Sequence, residues 1–157
     1  MAMDNAEIAR LITRYADLLE IDGANPFRVR AYRNAVRYLG TTALDMASLV
    51  GEGRELEGLP GIGKILADKI DTIVRTGGLP QLEQLEQRVP AGLADLMELP
   101  GLGVKRVSLL YRKLGIKGPA DLEQAMQSGA LDTLPGFGGK TIERLRAALA
   151  ERDRTPR

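Results

Sequence analysis

A leucine-proline-glycine-apolar-glycine sequence occurs three times in this chain of 157 residues. The copies lie at residues 59–63, 99–103 and 134–138, so their first glycines are 40 and 35 positions apart. Proline cannot continue a helical hydrogen-bond ladder, and the glycine after it can adopt a left-handed conformation. The apolar residue between the two glycines can fill the space between the flanking helices. The repetition therefore predicts three tight turns, each joining two helices.

Apolar residues recur at helical spacing along the rest of the sequence, for example at Ile8, Ile12, Tyr15 and Leu19. Asn25 followed by Pro26 is typical of a helix N-cap and first turn. No stretch alternates with the period of two that a half-buried strand requires. We therefore expect an all-α fold, with helices near residues 4–22, 26–39, 44–50, 63–75, 79–87, 91–99, 104–114, from 119 onward, near 131 and over 141–150.

The segment Thr76-Gly77-Gly78 predicts the end of a helix and a boundary between domains. On this interpretation residues 1–78 form one small helical domain that contains the first turn. Residues 79–152 form a second helical domain with the other two turns, and residues 153–157 form a frayed tail.

The chain contains no cysteine and no histidine. This excludes a disulfide, a thiolate nucleophile, a Cys/His zinc site and a histidine general base. No apolar run approaches the roughly 20 residues that span a bilayer, and the first residues lack the pattern of a secretory signal, so we expect a cytoplasmic protein without membrane contact. The net charge is only +1, but positive charge is clustered: residues 26–39 contain four arginines and no acidic residue.

The second glycine of each turn is expected to expose backbone N–H groups at the start of the following helix. These donors, together with the positive end of the helix dipole, can bind a phosphate. Basic residues follow each turn. Because the turn glycines have no side chains, a sugar-phosphate strand can come close to the backbone. The predicted phosphate contacts are Gly61, Ile62, Gly63 and Lys64 in the first turn, Gly101, Leu102, Gly103, Lys105 and Arg106 in the second, and Gly136, Gly138, Gly139 and Lys140 in the third. The alternative is that the turns only connect packed helices.

These turns are the residues of the helix-hairpin-helix motif. Together with residues 4–19 and the sequence Asn-Pro-Phe-Arg-Val-Arg-Ala-Tyr-Arg at 25–33, they resemble the N-terminal region of bacterial and archaeal family X DNA polymerases over nearly the whole chain. The resemblance implies an "8-kDa" domain that binds the 5′-phosphate side of a DNA gap and a second hairpin-bearing subdomain. It further implies non-sequence-specific binding of gapped, nicked or single-strand–duplex junction DNA in base excision repair, by a monomer near the nucleoid.

The resemblance also implies particular ligand contacts. Arg28, Tyr32, Arg33 and Lys64 would surround the 5′-phosphate. Backbone carbonyls in the first two turns would hold a monovalent cation, Na⁺ or K⁺. These carbonyls belong to Glu57, Leu59 and Ile62 in the first turn and to Met97, Leu99 and Leu102 in the second.

Lys69 is the candidate catalytic residue, since lyase-active relatives carry at this place a lysine that forms a Schiff base with an abasic sugar. It lies at the edge of an apolar stripe, where partial burial favours the neutral amine that such chemistry needs. The sequence departs from the lyase pattern at Ile65, where relatives can have lysine, and at Phe27, where they can have histidine. The alternative is that Lys69 is a phosphate contact or a solvated cation.

Polymerase chemistry is not expected in this chain. Two-metal nucleotidyl transfer needs grouped carboxylates, and no Asp-x-Asp pair occurs. The sequence is therefore expected to be part of a larger polymerase, which would need Mg²⁺, or a free-standing relative of its DNA-binding part. Two further functions stay open: a non-catalytic helix-hairpin-helix scaffold on DNA, and a protein-interaction domain that does not touch DNA.

Overall fold

The computed structural model describes residues 3–154, and within that range the chain is all-α, as predicted. Nine α-helices and one 3₁₀ helix follow one another in these residues, with no strand among them. They are α1 (Asn5–Ile21), α2 (Pro26–Thr41), α3 (Met46–Gly51), α4 (Lys64–Thr76), α5 (Pro80–Arg88), α6 (Gly92–Met97), α7 (Val104–Leu114), α8 (Pro119–Ser128), the 3₁₀ helix (Ala130–Thr133) and α9 (Gly139–Arg154).

The helix boundaries follow from local capping. The Asp4 carboxylate accepts a hydrogen bond from the Glu7 amide at 2.8 Å, and the Asn25 side chain accepts from the Phe27 amide at 2.8 Å. Asp45 caps α3 in the same way, through the Ser48 amide. At the other end, α4 and α7 stop at Gly77 and Gly115, which both adopt the left-handed conformation.

The last helix extends further than predicted. The sequence places its end at residue 150 and a frayed tail from 153, whereas α9 begins at Gly139 and runs to Arg154. Arg152 and Arg154 lie in its last turn, where positive charge is favourable at the negative end of the helix dipole. Arg154 also pairs with Glu151 at 2.7 Å. The rest of the predicted tail lies outside the described residues.

The chain divides into two compact units. Unit 1 contains the residues up to Leu19 together with Ala24–Leu85, and unit 2 contains Glu20–Gly23 together with the residues from Glu86 onward. Each unit has its own buried apolar residues. Those of unit 1 include Ile8, Ile12, Tyr15, Val29, Tyr32, Ile62, Leu66, Ile70 and Ile73, and those of unit 2 include Ile21, Leu93, Leu96, Val107, Leu110, Leu122, Leu131, Phe137 and Leu145. The predicted domains 1–78 and 79–152 stay a prediction.

Unit 2 incorporates the short segment 20–23 through specific contacts. The buried Ser108 hydroxyl donates to the backbone carbonyls of Glu20 and Ile21, at 3.1 and 3.3 Å. Arg88 forms an ion pair with Asp22 at 2.7 Å. Ile21 itself is fully buried, so this segment is part of the unit's core.

None of the helices in the part of the chain that the structure describes has the length and apolar character needed to cross a membrane.

Candidate nucleic-acid interface

The first turn is a closed backbone loop between α3 and α4. Gly61 has a φ of +75°, and the Ile62 amide donates to the Leu59 carbonyl at 2.9 Å. A second bond runs from the Gly58 amide to the Ile62 carbonyl at 3.0 Å. Proline at the second position and a positive φ at the third are typical of a type II turn, which explains the Pro-Gly pair. Ile62 is buried and fills the space inside the hairpin.

The second and third turns repeat this geometry. Leu102 donates to the Leu99 carbonyl at 3.1 Å, and Phe137 donates to the Leu134 carbonyl at 3.4 Å. The first glycines, Gly101 and Gly136, have φ values of +89° and +85°. Leu102 and Phe137 are buried, as Ile62 is. The three sequence repeats therefore correspond to three repeats of one turn conformation.

Neither the backbone conformation nor the packing of the protein requires glycine at the second glycine position of each turn. Gly63 and Gly103 have φ values of −89° and −94°, which any residue adopts, and neither offers a side chain that caps the following helix. A Cβ atom added at Gly63, Gly103 or Gly138 would meet nothing within 4 Å. These positions thus leave the first amides of α4, α7 and α9 open to close approach from outside.

The lysines that follow the turns lie on the surface, whereas Arg106 does not project freely. Lys64, Lys105 and Lys140 are exposed. Arg106 is half-buried and donates to the Gly101 carbonyl at 2.8 Å and to the Gly136 carbonyl at 3.3 Å. The predicted phosphate contacts therefore include three accessible lysines and one arginine that already bonds to two turns.

In unit 1, cationic side chains meet around one tyrosine, and we call Tyr15, Arg28, Tyr32 and Lys69 the Tyr15 cluster. Arg28 Nη2 donates to the Tyr15 hydroxyl at 3.1 Å. Lys69 Nζ lies 5.7 Å from the centroid of the Tyr15 ring, within range of a cation–π interaction. Tyr32 packs edge-on against the same ring, with centroids 5.3 Å apart. Tyr15 thus connects α1 with α2 and α4.

The four residues predicted around a 5′-phosphate differ in accessibility. Arg28 and Lys64 are exposed, whereas Tyr32 is only 2% exposed and belongs to the core. Arg33 is half-buried and pairs with Asp17 at 2.9 Å. Arg28 is therefore the member of the set that is both accessible and positioned by a neighbour, through the Tyr15 hydroxyl.

Sequence reasoning missed Tyr15 and Asp17 as partners of these cations. Both lie on α1, where Tyr15 was interpreted only as part of the apolar face. A buried tyrosine usually needs a hydrogen-bond partner for its hydroxyl, so a tyrosine among isoleucines and leucines is a signal that points to a polar neighbour.

Lys69 lines an open groove of about 260 Å³ in unit 1. Its side chain is half-buried, while the adjacent Asp68 is exposed. The other lining residues are Ile65, Thr72 and Gln81. The groove therefore places an amine and a carboxylate beside a space that is accessible to a ligand.

Leu59, Ile62 and Leu99 are three of the six residues predicted to hold a monovalent cation, and their carbonyls have remaining acceptor capacity. The oxygens of Leu59, Ile62 and Leu99 each accept one backbone hydrogen bond, and a carbonyl oxygen has two lone pairs. Oxygen donors of this type are compatible with Na⁺ or K⁺, which stays a prediction. Within residues 3–154 no group of three or more carboxylate side chains is arranged to hold a metal ion.

Comparison with known proteins supports the relationship that the turns suggest. Residues 3–79 match the family described as a helix-hairpin-helix domain, and residues 93–151 match the family described as a SAM-like helix-hairpin-helix tandem. The chain is 36% identical over 154 residues to the DNA polymerase/3′-5′ exonuclease PolX of Bacillus subtilis (strain 168). That alignment covers 98% of this chain and 26% of the relative, so the chain spans about a quarter of the length of the protein it matches.

Proposed function

Because this chain belongs with the helix-hairpin-helix N-terminal regions of family X DNA polymerases, we propose that it binds gapped or nicked DNA through the sugar-phosphate backbone. The binding is independent of base sequence, since backbone amides and lysines contact phosphates and carry no base information. Its role is to hold a gap during DNA repair while a polymerase fills it.

The observation that carries this proposal is the second glycine of each turn. Neither its φ angle nor internal packing requires glycine at these positions. Close approach of an external backbone does require it, because a side chain would stand between a phosphate and the first amides of the helix. The same residue, in the same place, is followed within two positions by an exposed lysine in all three turns.

A terminal 5′-phosphate has a proposed binding site on unit 1. Arg28 is exposed, and the Tyr15 hydroxyl holds one of its nitrogens, so the remaining donors of its planar fork are oriented for an anion. Lys64, at the start of α4, supplies a second exposed cation. A terminal phosphate carries more charge than an internal one, which favours the end of a gap over intact duplex.

The test is a binding titration of the 157-residue chain on a one-nucleotide gapped duplex, with and without the 5′-phosphate, across a KCl series. We expect the affinity to fall steeply with salt, with a slope near −0.9 for each phosphate neutralised. We also expect tighter binding with the 5′-phosphate, and Arg28→Gln should abolish that preference. Arg37→Gln, an exposed arginine on the same helix, is the matched control. An affinity that depends on neither salt nor phosphate would instead favour a protein-interaction domain.

We further propose that Lys69 removes 5′-deoxyribose phosphate from an incised abasic site. Its Nζ attacks C1′ of the open-chain aldehyde and releases water, which forms a Schiff base. Loss of the C2′ proton then breaks the C3′–O bond and leaves a 5′-phosphate on the DNA. Asp68, which lines the same groove, is the candidate acceptor of that proton.

Borohydride trapping on a 5′-incised abasic duplex tests this activity. We expect a covalent adduct with the parent chain and none with Lys69→Arg, which keeps the charge but cannot form the imine. DNA affinity should be unchanged in that variant. Lys117→Ala, an exposed lysine in unit 2, serves as the control that still traps. An undiminished adduct in Lys69→Arg would exclude Lys69 as the nucleophile. If the parent chain forms no adduct, the lyase proposal fails and only the DNA-binding proposal remains.

A further inference from the structure

Arg106 contacts equivalent atoms in two different hairpins of unit 2. Nη1 donates to the carbonyl of Gly101, the first glycine of the second turn, at 2.8 Å. Nη2 donates to the carbonyl of Gly136, the first glycine of the third turn, at 3.3 Å. The guanidinium carbon also lies 5.9 Å from the centroid of the buried Phe137 ring, within cation–π range.

We propose that Arg106 is a positioning residue, which fixes the second and third hairpins as one two-site phosphate-binding unit and does not itself contact DNA. The inference rests on the proposed function, because the hairpins must bind DNA for their alignment to matter. It assigns Arg106 a different role from that of its neighbour Lys105, whose exposed side chain is free to reach a phosphate.

The chemistry of the side chain fits this role. A guanidinium group presents several N–H donors in a rigid plane, so it can bond two carbonyls on different segments at once. A lysine would offer a single point charge at the end of a flexible stem. In the first and third turns the position equivalent to Arg106 is occupied by Leu66 and Thr141. The connection is therefore a specific feature of the second turn and not a general property of the repeat.

Alignment of the hairpins affects affinity through preorganisation. Two binding sites held at a fixed spacing engage one DNA molecule together, so the second contact forms at a high effective concentration. When the connection is lost, both hairpins can still reach their phosphates. Their relative position is then fixed only when DNA binds, and this ordering reduces the free energy of binding. Binding weakens while the number of neutralised phosphates stays the same.

The test compares Arg106→Lys with Lys105→Gln on the gapped duplex across a KCl series. For Arg106→Lys we expect a three- to tenfold loss of affinity, about the effect of one hydrogen bond, at an unchanged salt slope. For Lys105→Gln the slope should fall by about 0.9, the value for one phosphate. Hydrogen exchange of the Phe137 amide, which closes the third turn, should accelerate in Arg106→Lys and not in Lys105→Gln.

The opposite pattern would overturn the proposal: parent-like affinity in Arg106→Lys, with a slope reduced by about 0.9 in Arg106→Gln, means direct phosphate contact. Unchanged exchange at Phe137 in Arg106→Lys would also overturn it. If the parent chain does not bind DNA, the proposed function fails, yet the exchange measurement still tests the connection.

Should Arg106→Lys fold poorly, Phe137→Leu is the second variant. It removes the ring beneath the guanidinium and keeps an apolar side chain in the turn. Because both hydrogen bonds of Arg106 remain in Phe137→Leu, a smaller loss of affinity at constant slope is then expected, and parent-like affinity would contradict the proposal.

Discussion

Gly92→Ala is expected to destabilise unit 2 by about 3 kcal/mol, at the upper end of the cost of inserting atoms into a packed site. A Cβ atom at Gly92 would lie 2.3 Å from the Lys117 carbonyl oxygen and 3.0 Å from the Gly118 Cα. Both are backbone atoms, so no side chain can rotate away. The start of α6 or the segment before α8 must move instead. Thermal unfolding followed by circular dichroism, together with hydrogen exchange of α6 and α8, measures the effect.

Gly118→Ala is the matched control, because it adds the same atom on the other side of the same contact. Its Cβ would lie 3.5 Å from the Gly92 Cα, which is an ordinary van der Waals distance. The φ of Gly118 is −179°, an extended conformation that any residue adopts. We expect a change within about 1 kcal/mol, the scale of an N-cap substitution. Equal losses of stability in the two variants would show that the close backbone contact is not the reason that alanine destabilises the protein at residue 92.

The triple substitution Lys64→Gln, Lys105→Gln and Lys140→Gln is expected to have the largest effect on DNA binding. Each lysine is exposed and follows a turn glycine. If each neutralises one phosphate, the slope of log affinity against log salt should fall by about 2.7 in magnitude. At low salt, where counterion release contributes most, the affinity should fall by more than tenfold.

A second triple variant separates contact from net charge. Arg10→Gln, Lys113→Gln and Lys117→Gln also removes three positive charges from exposed positions, none of which follows a turn. We expect its slope to stay close to that of the parent chain, because none of the three residues directly follows the glycines of a Pro-Gly turn, where the proposed phosphate contacts lie. Equal losses in the two triple variants would mean that the chain binds DNA by overall charge and that the hairpins have no special role.

Much of the fold could be predicted because its signals are local. The Pro-Gly pairs determine the three turns, and Asn25-Pro26 determines the start of α2. In each case the signal lies within a few residues of the structure that it determines. The end of α9 was harder to predict. Residues 151–154 contain neither glycine nor proline to stop the helix, and their helical state depends on weak end effects such as the Arg154–Glu151 pair.

The candidate site was less predictable at the level of side chains. Lysines after glycines can be read from the sequence, but the carbonyls that Arg106 bonds lie 5 and 30 positions away. Tyr15 and Arg28 are separated by 13 positions on different helices. Such pairs depend on how the helices pack, and a single sequence carries no direct record of that packing. That Arg106 donates to backbone carbonyls of two turns is therefore visible only in the three-dimensional structure.

The segment 20–23 has a consequence for the order in which the protein can be completed during synthesis. Its partners follow it by 66 positions at Arg88 and by 87 or 88 at Ser108. The ribosome therefore releases a piece of the core of unit 2 long before the helices that cover it. Ile21, which is fully buried in the folded protein, stays exposed to solvent or in transient contacts until those helices are synthesised. For the same reason no cut between Gly23 and Glu86 yields unit 2 intact, because it separates the segment 20–23 from the rest of the unit.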